Sequence, residues 1–439
     1  ATMGDPFACS SSNPFMPRTL AEWLSYQDRV NLHTIELGLD RVREVWQRMG
    51  APRPAPRVIT VAGTNGKGST VALLEAMLKA AGWHVGAFTS PHLLAYNERI
   101  GIEGVPVTDA ALIESFERIE AARAEIPLTY FEFGALAAVD LFARAGVDVA
   151  VLEVGLGGRL DAVNIIDADV AVITTVDLDH MEWLGPDRDS IGREKAGIAR
   201  RGRPAIVGQL DPPDGLLAAL AERGAQVERA GIDFSVERHE DGWRWRHRDG
   251  SAMELPDPYL AAPVQHANAA AAIAALHALG DEAFSPSTLF AAASAGLHDV
   301  RIAARLQALG GEPPVFVDVG HNPQAARALA EWLDASAHGA VHAVYGALAD
   351  KDVAGVIGAL GARIAHWHLA GLEQVSPRGM DVAALSEKLK ATLPQASFDA
   401  HPDVAAALAA ARQATQPGDC ILAFGSFFVA SAVMAEHAP

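Results

Sequence analysis

Short β-branched runs alternate along the chain with longer Ala/Leu-rich stretches of helical period, a pattern that stacks β-α-β units around a mostly parallel sheet. Residues 58–61 form a run of the first kind. It passes through Gly63-Thr64-Asn65-Gly66-Lys67-Gly68-Ser69 into a segment with Val71, Leu74, Met77 and Leu78 on one helical face, stopped by Gly82. Further strands are predicted at 147–154, 169–176 and 204–207, the first two almost continuously apolar, as buried parallel strands are. From 211 to 258 the texture turns to Pro, Gly and charge, with a predicted hairpin at 242–248 followed by Asp249-Gly250. Residues 267–279 predict a buried helix. A second β-α series follows, with strands at 315–319, 341–345 and 421–424 and no second glycine-rich loop. The expected fold class is α/β. A P-loop nucleotide-binding domain with a mostly parallel sheet spans 18–298, joined near 296–301 to a smaller Rossmann-like α/β domain spanning 299–439. Such a junction is a natural place for a cleft. Residues 1–17, rich in Ser, Pro and Asn, are expected to be a flexible N-terminus or an expression remnant.

The 439 residues are enough for two or three domains at roughly 100–200 residues each. Half are hydrophobic and a fifth are charged, which is a core-forming composition. Asp and Glu total 54 against 35 Lys and Arg, a formal charge of −19. That balance argues against a nucleic-acid or anionic-membrane surface, and it requires a local basic site for any anionic ligand. The Trp243-Arg244-Trp245-Arg246 alternation is what any edge hairpin shows and does not change this. Cys9 and Cys420 match no metal or redox spacing, which fits a reducing cytoplasm. The apolar stretch 420–435 is interrupted by Gly425 and serines and is too short for a span of about 20 residues. No signal-peptide pattern precedes residue 17. The expectation is a cytoplasmic monomer with no nucleic-acid or membrane partner.

Three features carry chemistry. Gly63, Gly66 and Gly68, between a strand and a helix, expose backbone N–H groups at the positive end of that helix, a concavity sized for phosphates. Lys67 adds a point charge there. The general P-loop pattern is met imperfectly, since Val61 stands where a glycine is expected and Gly68 separates Lys67 from Ser69. Glu153 ends an apolar strand, where an unpaired acid is costly to bury. His180 lies just beyond another strand. Strand ends of an open parallel sheet line the ligand crevice, so these two residues can converge as ligands for Mg²⁺ beside nucleotide phosphates. His180 taken alone reads equally well as a polar loop residue.

The wording of the chain is also recognisable. Val61-Ala62-Gly63-Thr64-Asn65-Gly66-Lys67-Gly68-Ser69-Thr70, Thr89-Ser90-Pro91-His92-Leu93 and Asn97-Glu98-Arg99-Ile100 resemble the folylpolyglutamate synthase/dihydrofolate synthase family of Mur-type ligases. So do Leu152-Glu153-Val154-Gly155-Leu156-Gly157-Gly158-Arg159-Leu160-Asp161-Ala162, Asp177-Leu178-Asp179-His180, Arg193-Glu194-Lys195-Ala196-Gly197-Ile198 and Asp318-Val319-Gly320-His321-Asn322-Pro323. The resemblance runs in order from about residue 23 to 434. It implies a Mur-ligase-type fold in which Thr64, Asn65, Gly66, Lys67, Gly68 and Ser69 hold the ATP phosphates. It further implies that Ser90 and Glu153 hold one Mg²⁺, and that Glu153, His180 and Lys195 hold a second. An ammonium has no lone pair for a cation, so Lys195 fits that role only as the CO₂-derived carbamate that the family's matching lysine carries. Lys67, Lys195 and His180 are the implied catalytic residues. For the pterin, the resemblance implies contacts from Thr129, Tyr130, Phe131 and Glu132, with Phe131 stacking on the ring, and from Leu160, Asp161 and Ala162. The loop His33-Thr34-Ile35-Glu36-Leu37-Gly38-Leu39 would close over dihydropteroate, chiefly through Leu37 and Gly38. From the second domain, Asn268, Arg305, Asp318 and His321 would reach the nucleotide.

The chain departs from the family at Ala303-Ala304, where Pro-Gly usually precedes the arginine, and at Gly320, where Ala is usual. The first departure makes Arg301 a rival for the role of Arg305. Ala349-Asp350-Lys351-Asp352 matches a further recurrent block of undefined role. The implied activity is an ATP-dependent ligase. It adds L-glutamate to 7,8-dihydropteroate and further glutamates to reduced folates through an acyl phosphate, releasing ADP and phosphate. The competing readings are a monofunctional polyglutamylating enzyme, a cell-wall Mur ligase and a non-catalytic ATP switch. The Mur-ligase reading lacks a separate UDP-sugar domain ahead of Val58.

Overall fold

The computed structural model describes residues 19–31, 35–280, 285–336 and 339–437. The expectations for residues 1–17 and for His33 and Thr34 lie outside these. The first sheet has eight strands in the order Val105–Pro106, Ile100–Ile102, Val85–Phe88, Val149–Glu153, Arg57–Ala62, Val170–Ile173, Pro204–Val207 and Gln226–Arg229. All neighbours from Val85–Phe88 onward are parallel, and the first two strands add an antiparallel edge. One face of the sheet is covered by Lys67–Ala80, Gln265–Leu279 and Pro286–Asp299, whose buried Ala and Leu pack against Ile59, Val61, Val149, Val151 and Val172. On the other face, Leu20–Val30, Asp40–Arg48, Asp109–Arg123 and Tyr130–Ala145 close a second core around Phe88, Phe116, Phe133 and Phe142.

The hairpin belongs to a three-stranded antiparallel sheet, Phe234–His239, Gly242–His247 and Ala252–Leu255. Its period-2 alternation sorts the residues as the pleat requires. Trp243 and Trp245 are fully buried, and the Trp245 indole donates to the Ala270 carbonyl at 3.3 Å. Arg244 and Arg246 face outward onto Glu254 and Glu237. The basic residues are thus neutralised within the sheet, and the aromatic ones are core.

A second sheet of six strands follows, in the order Gln307–Ala308, Val315–Val317, Cys420–Phe424, Val341–Tyr345, His366–Ala370 and Phe398–His401. It is parallel apart from its first strand. Between the sheets, Pro286–Asp299 ends and residues 300–306 lead into the second.

Three strands are shorter than predicted, for one reason. Apolar 147–154, 169–176 and 315–319 contain Val149–Glu153, Val170–Ile173 and Val315–Val317, beyond which the chain turns out of the sheet toward the cleft. Val176 is fully buried although outside any strand, so its apolarity reflects packing rather than pairing. Trp245→Ala is expected to cost about 3–5 kcal/mol of stability by denaturant titration, as deletion of a buried indole does. Arg246→Ala should stay within about 0.5 kcal/mol, as exposed substitutions do; the reverse order would mean the pleat is misassigned.

Candidate active site between the two sheets

Four segments leave the C-terminal ends of adjacent parallel strands and meet: 63–66 after Arg57–Ala62, Ser90 after Val85–Phe88, Glu153 ending its own strand, and 174–180 after Val170–Ile173. Gly66 takes a left-handed φ of 84°, and a methyl group there would stand 2.5 Å from the Asn268 Oδ1. A methyl on Gly63 would overlap the Thr174 hydroxyl. Only glycine fits both places. The first helical hydrogen bond runs from Thr70 N to the Gly66 carbonyl, so the N–H groups of Gly66, Lys67, Gly68 and Ser69 precede any intrahelical acceptor and face the cleft end of the helix. Thr64 and Asn65 do other work. Their backbone N–H groups are taken by the Thr175 carbonyl at 2.8 Å and the Thr175 hydroxyl at 3.0 Å. The Thr64 hydroxyl bonds to the backbone of Asp177.

Asn65 instead reaches the second sheet. Its side-chain amide exchanges hydrogen bonds with Asn322 at 3.0 and 2.9 Å and donates to Gln324 at 2.6 Å. Two ion pairs run beside it, Asp177 to Arg327 at 2.9 Å and Asp179 to Lys351 at 2.7 Å. The second pair is nearly dry, its side chains 12% and 6% exposed. His321 Nε2 stands 3.7 Å from the other Asp179 oxygen. Lys351, in a block of undefined role from sequence, is therefore a cross-cleft anchor. The only sequence signals of these contacts are the spaced acids of Asp177-Leu178-Asp179 and the unassigned Asp350-Lys351-Asp352.

Lys67 is the electrostatic centre. Its Nζ donates to the carbonyls of Gly63 and Thr64 at 3.0 and 3.2 Å. Burial pulls its pKa down against the attraction of Glu153 and Asp179. Burial pushes Glu153 up, opposed by Lys67, by the Ser90 N–H at 3.1 Å and by Arg305. A methyl on Gly68 would lie 3.6 Å from both Glu153 Oε2 and Arg305 Nη2, so the carboxylate and the guanidinium converge on the helix start from opposite sheets. Burial, then the Lys67 charge, brings Lys195 to about 7. Burial brings His180 to about 4, against the pull of Asp179. At neutral pH the imidazole is neutral and about half of the Lys195 amine is neutral. His180 also holds a left-handed φ of 50°, unusual for a side-chain-bearing residue and typical of functional positions.

Arg301 is drawn elsewhere, stacked 3.5 Å from the Tyr259 ring centroid and bonded to the His298 and Val300 carbonyls. Asp318 builds the Arg305 loop, its two oxygens accepting from Leu306 N at 2.8 Å and Gly320 N at 2.6 Å. Ser69 is buried and lies 3.4 Å from the Gln265 amide, which itself accepts from Asn268.

Beside this centre is an aromatic cluster. Thr129 and Glu132 form a capping box at the start of Tyr130–Ala145, presenting Tyr130 and Phe131. Phe131 lies over Gly155 and 5.7 Å from the Phe88 ring. The Arg99 guanidinium, missed in the sequence, sits 5.3 Å from both the Tyr96 and Tyr130 rings. Arg41, also missed, bridges Glu36 and Glu132 at 2.6 and 3.1 Å. It thereby ties half-buried Leu37 and Gly38 to the helix start. Asp161 accepts from Leu156 N and Val163 N and shapes the loop carrying half-buried Leu160 and buried Ala162.

Residues 61–276 match the Mur ligase middle domain and 304–427 the Mur ligase glutamate ligase domain. The Escherichia coli dihydrofolate synthase/folylpolyglutamate synthase is 45% identical over 94% of each chain, and the Haemophilus influenzae one 40% identical over 93% of this chain and 95% of its own. The chain belongs to the dihydrofolate synthase/folylpolyglutamate synthase family. Within that family, E. coli FolC in complex with DHPP and ADP is 43% identical, with a TM-score of 0.89 over 96% of this chain and 98% of its own. A bifunctional folylpolyglutamate synthase/dihydrofolate synthase with Mn, AMPPNP and L-glutamate bound gives a TM-score of 0.87 at 43% identity over 96% and 99%.

Ala304, where the resemblance drawn from the sequence expects a glycine, adopts a left-handed conformation that glycine favours. Its φ is 53° and its side chain is fully buried. Arg305 is delivered to Gly68 all the same, because Asp318 and Gln307 hold the loop. Ala304→Gly is expected to raise stability by about 1 kcal/mol by releasing the left-handed strain, read as a higher denaturant midpoint; an unchanged or lower midpoint means the loop is unstrained. Lys351→Met leaves Asp179 without its ammonium partner and should weaken the cross-cleft contact by about 3 kcal/mol. Small-angle scattering should then show a larger radius of gyration with unchanged circular dichroism, and an unchanged radius would remove Lys351 from this role.

Proposed function

We propose that this chain is an ATP-dependent amide-forming ligase that joins L-glutamate to 7,8-dihydropteroate, giving 7,8-dihydrofolate, and adds further glutamates to reduced folates. The observation that carries the reading is the convergence of Lys67, Glu153 and Arg305 on one helix start from both sides of the cleft. The proposed domain division, after residue 298, puts Lys67 and Glu153 in one domain and Arg305 in the other. The relatives' names support the substrate pair, and the bound ADP, AMPPNP, Mn and L-glutamate of the solved relatives support nucleotide and divalent-metal use.

The residues fit a divalent cation. Glu153 is a buried carboxylate, His180 is neutral at pH 7, and Lys195 is a buried amine facing the Lys67 charge. Two buried ammonium groups repel. Combination of neutral Lys195 with CO₂ replaces one of them by an anion, which removes the repulsion and makes an oxygen donor. Ser90 and Glu153 would hold one Mg²⁺, and Glu153, His180 and the Lys195 carbamate a second. Bound there, Mg²⁺ supplies neutralisation of phosphate charge.

In the proposed reaction the pterin-linked carboxylate attacks the γ-phosphorus of ATP, ADP leaves, and the glutamate amine then displaces phosphate from the acyl phosphate. Phosphoryl transfer is mainly positioning and charge compensation. The free N–H groups of residues 66–69 and the Lys67 ammonium hold the phosphates, and Arg305 offsets charge from the opposite side. Asn268 lies against Gly66, and Asp318 and His321 position the nucleotide edge of the cleft. Tyr130 and Phe131, set by the Thr129–Glu132 box, line the pterin place with Leu37, Gly38, Leu160, Asp161 and Ala162. The polar contacts of Asn65, Asp179 and Lys351 keep the cleft shut, which excludes the water that would hydrolyse an acyl phosphate. Among the described residues no helix is long and apolar enough to cross a membrane. A cytoplasmic monomer acting on small molecules alone is our reading of its setting.

With dihydropteroate as the acceptor, sustained ADP release should require glutamate and yield dihydrofolate; polyglutamylation without dihydrofolate formation would reduce the enzyme to its monofunctional form. Lys195→Ala should lower turnover at least about 100-fold, the cost of losing one preorganised charge partner. High CO₂ should not restore it, whereas the wild-type protein should show an adduct of one CO₂ by mass spectrometry; full activity of the variant refutes the assignment.

A further inference from the structure

The second sheet carries a group of side chains that the ligase reaction does not use. His342, His366, His368, Asp399 and His401 all lie on one face of three adjacent parallel strands. The pairing places them there: His342 pairs with His366, and His368 with Asp399, while His366 and His368, like Asp399 and His401, are two residues apart. Val344 and Ala370 on the same face pack against Val404–Ala414, so the imidazoles sit beneath that helix and not in the cleft.

Strand positions under a helix are ordinarily apolar, and buried polar groups there need partners. Part of the cluster has them. His366 meets Ser397 at 2.8 Å and Asp399 at 3.0 Å, and His342 Nδ1 meets His368 Nε2 at 3.1 Å. His342 Nε2 in turn stands 3.8 Å from Asp419. Two nitrogens are left over. His368 is fully buried and its Nδ1 has no hydrogen-bond partner among the described residues, nor has the buried Nε2 of His401. The rings crowd together, His366 4.6 Å and His401 5.8 Å from His368 between centroids. Burial first, then these neighbouring imidazoles, keeps His368 at about 4, so it presents a neutral ring at pH 7.

We propose that His366, His368 and Asp399, with His401 beside them, form a binding site for a borderline divalent transition-metal ion of the Zn²⁺ class, separate from the ligase cleft. Donor atoms of the first three lie within 4.8 Å of one another, near enough for one ion to gather them. Two or three imidazoles and one carboxylate select Zn²⁺, Co²⁺ or Ni²⁺ over Mg²⁺, which prefers oxygen and keeps its water. The Asp419–His342–His368 chain is the kind of outer support that fixes the tautomer and orientation of a ligating histidine. The His366 and Asp399 side chains, 22% and 60% exposed, give the ion an entry path. Bound, it ties together His366–Ala370 and Phe398–His401, with Val341–Tyr345 joined through His342, and stabilises the second domain by mass action.

The test uses the untagged full-length chain, stripped with chelator and returned to saturating Mg²⁺, in a Glu153→Gln background so that the cleft contributes no transition-metal site. One equivalent of Co²⁺ should produce visible d–d absorption that Zn²⁺ displaces, and Zn²⁺ should raise the melting temperature. His366→Gln with Asp399→Asn, both partly exposed and expected to fold, should lose the absorption and the thermal shift. In an otherwise wild-type chain the same pair should leave Mg²⁺-dependent ADP formation unchanged without zinc. The proposal is overturned if the folded parent takes up no Co²⁺ or Zn²⁺ at micromolar concentration, or if the double variant shows the same spectrum and shift.

Discussion

A buried ammonium at Lys67 sets the conditions for everything around it. Removing a charge from water is costly unless opposite charges and oriented dipoles replace the solvent. The protein supplies two carbonyls from the loop itself, Glu153 from the neighbouring strand, and Asp179 from the segment beyond. Each of these is in turn held by something else: Glu153 by the Ser90 N–H, Asp179 by Lys351 and His321 across the cleft. The ion pairs that join the two sheets, Asp177 to Arg327 and Asp179 to Lys351, lie beside the Lys67 site, and Asp179 belongs to both. A protein of net charge −19 thus places three of its cations, Lys67, Arg305 and Lys351, at the cleft between its domains.

Strand topology makes this possible. Parallel strands send all their carboxyl ends to one edge, so glycine-rich loop, Ser90, Glu153 and His180 meet without any of them being close in sequence. Three of the six left-handed non-glycine backbones among the described residues border the cleft. His180, Ala304 and Leu306 hold left-handed backbones that side-chain-bearing residues rarely adopt, and two of these flank the arginine that reaches back to the first sheet. Ala304 is held in a left-handed conformation because Asp318 and Gln307 bind the loop on both sides. The pterin side is arranged more locally, through a capping box that fixes the direction of Phe131 and an arginine that fixes Leu37 and Gly38 against it.

What the sequence determined by itself was the set of local devices. Apolar runs and helical periods gave the two β-α series, and the glycine-rich loop, the acid inside a strand and the runs around His180 and Lys195 marked the chemistry, since each depends on neighbours within a few residues. Strand ends were overestimated at Val176 and Val319 because apolarity reports burial and not pairing. The tertiary structure alone decided which side chains pair across long separations. Asp179 and Lys351 are 172 residues apart, Asn65 and Asn322 257, and nothing periodic links them. It also decided that Arg305 and not Arg301 enters the cleft, that the tryptophans of the hairpin are core, and that five imidazole and carboxylate groups share one face of the second sheet. These outcomes follow from strand order and register, which fix distances in space that spacing along the chain does not encode.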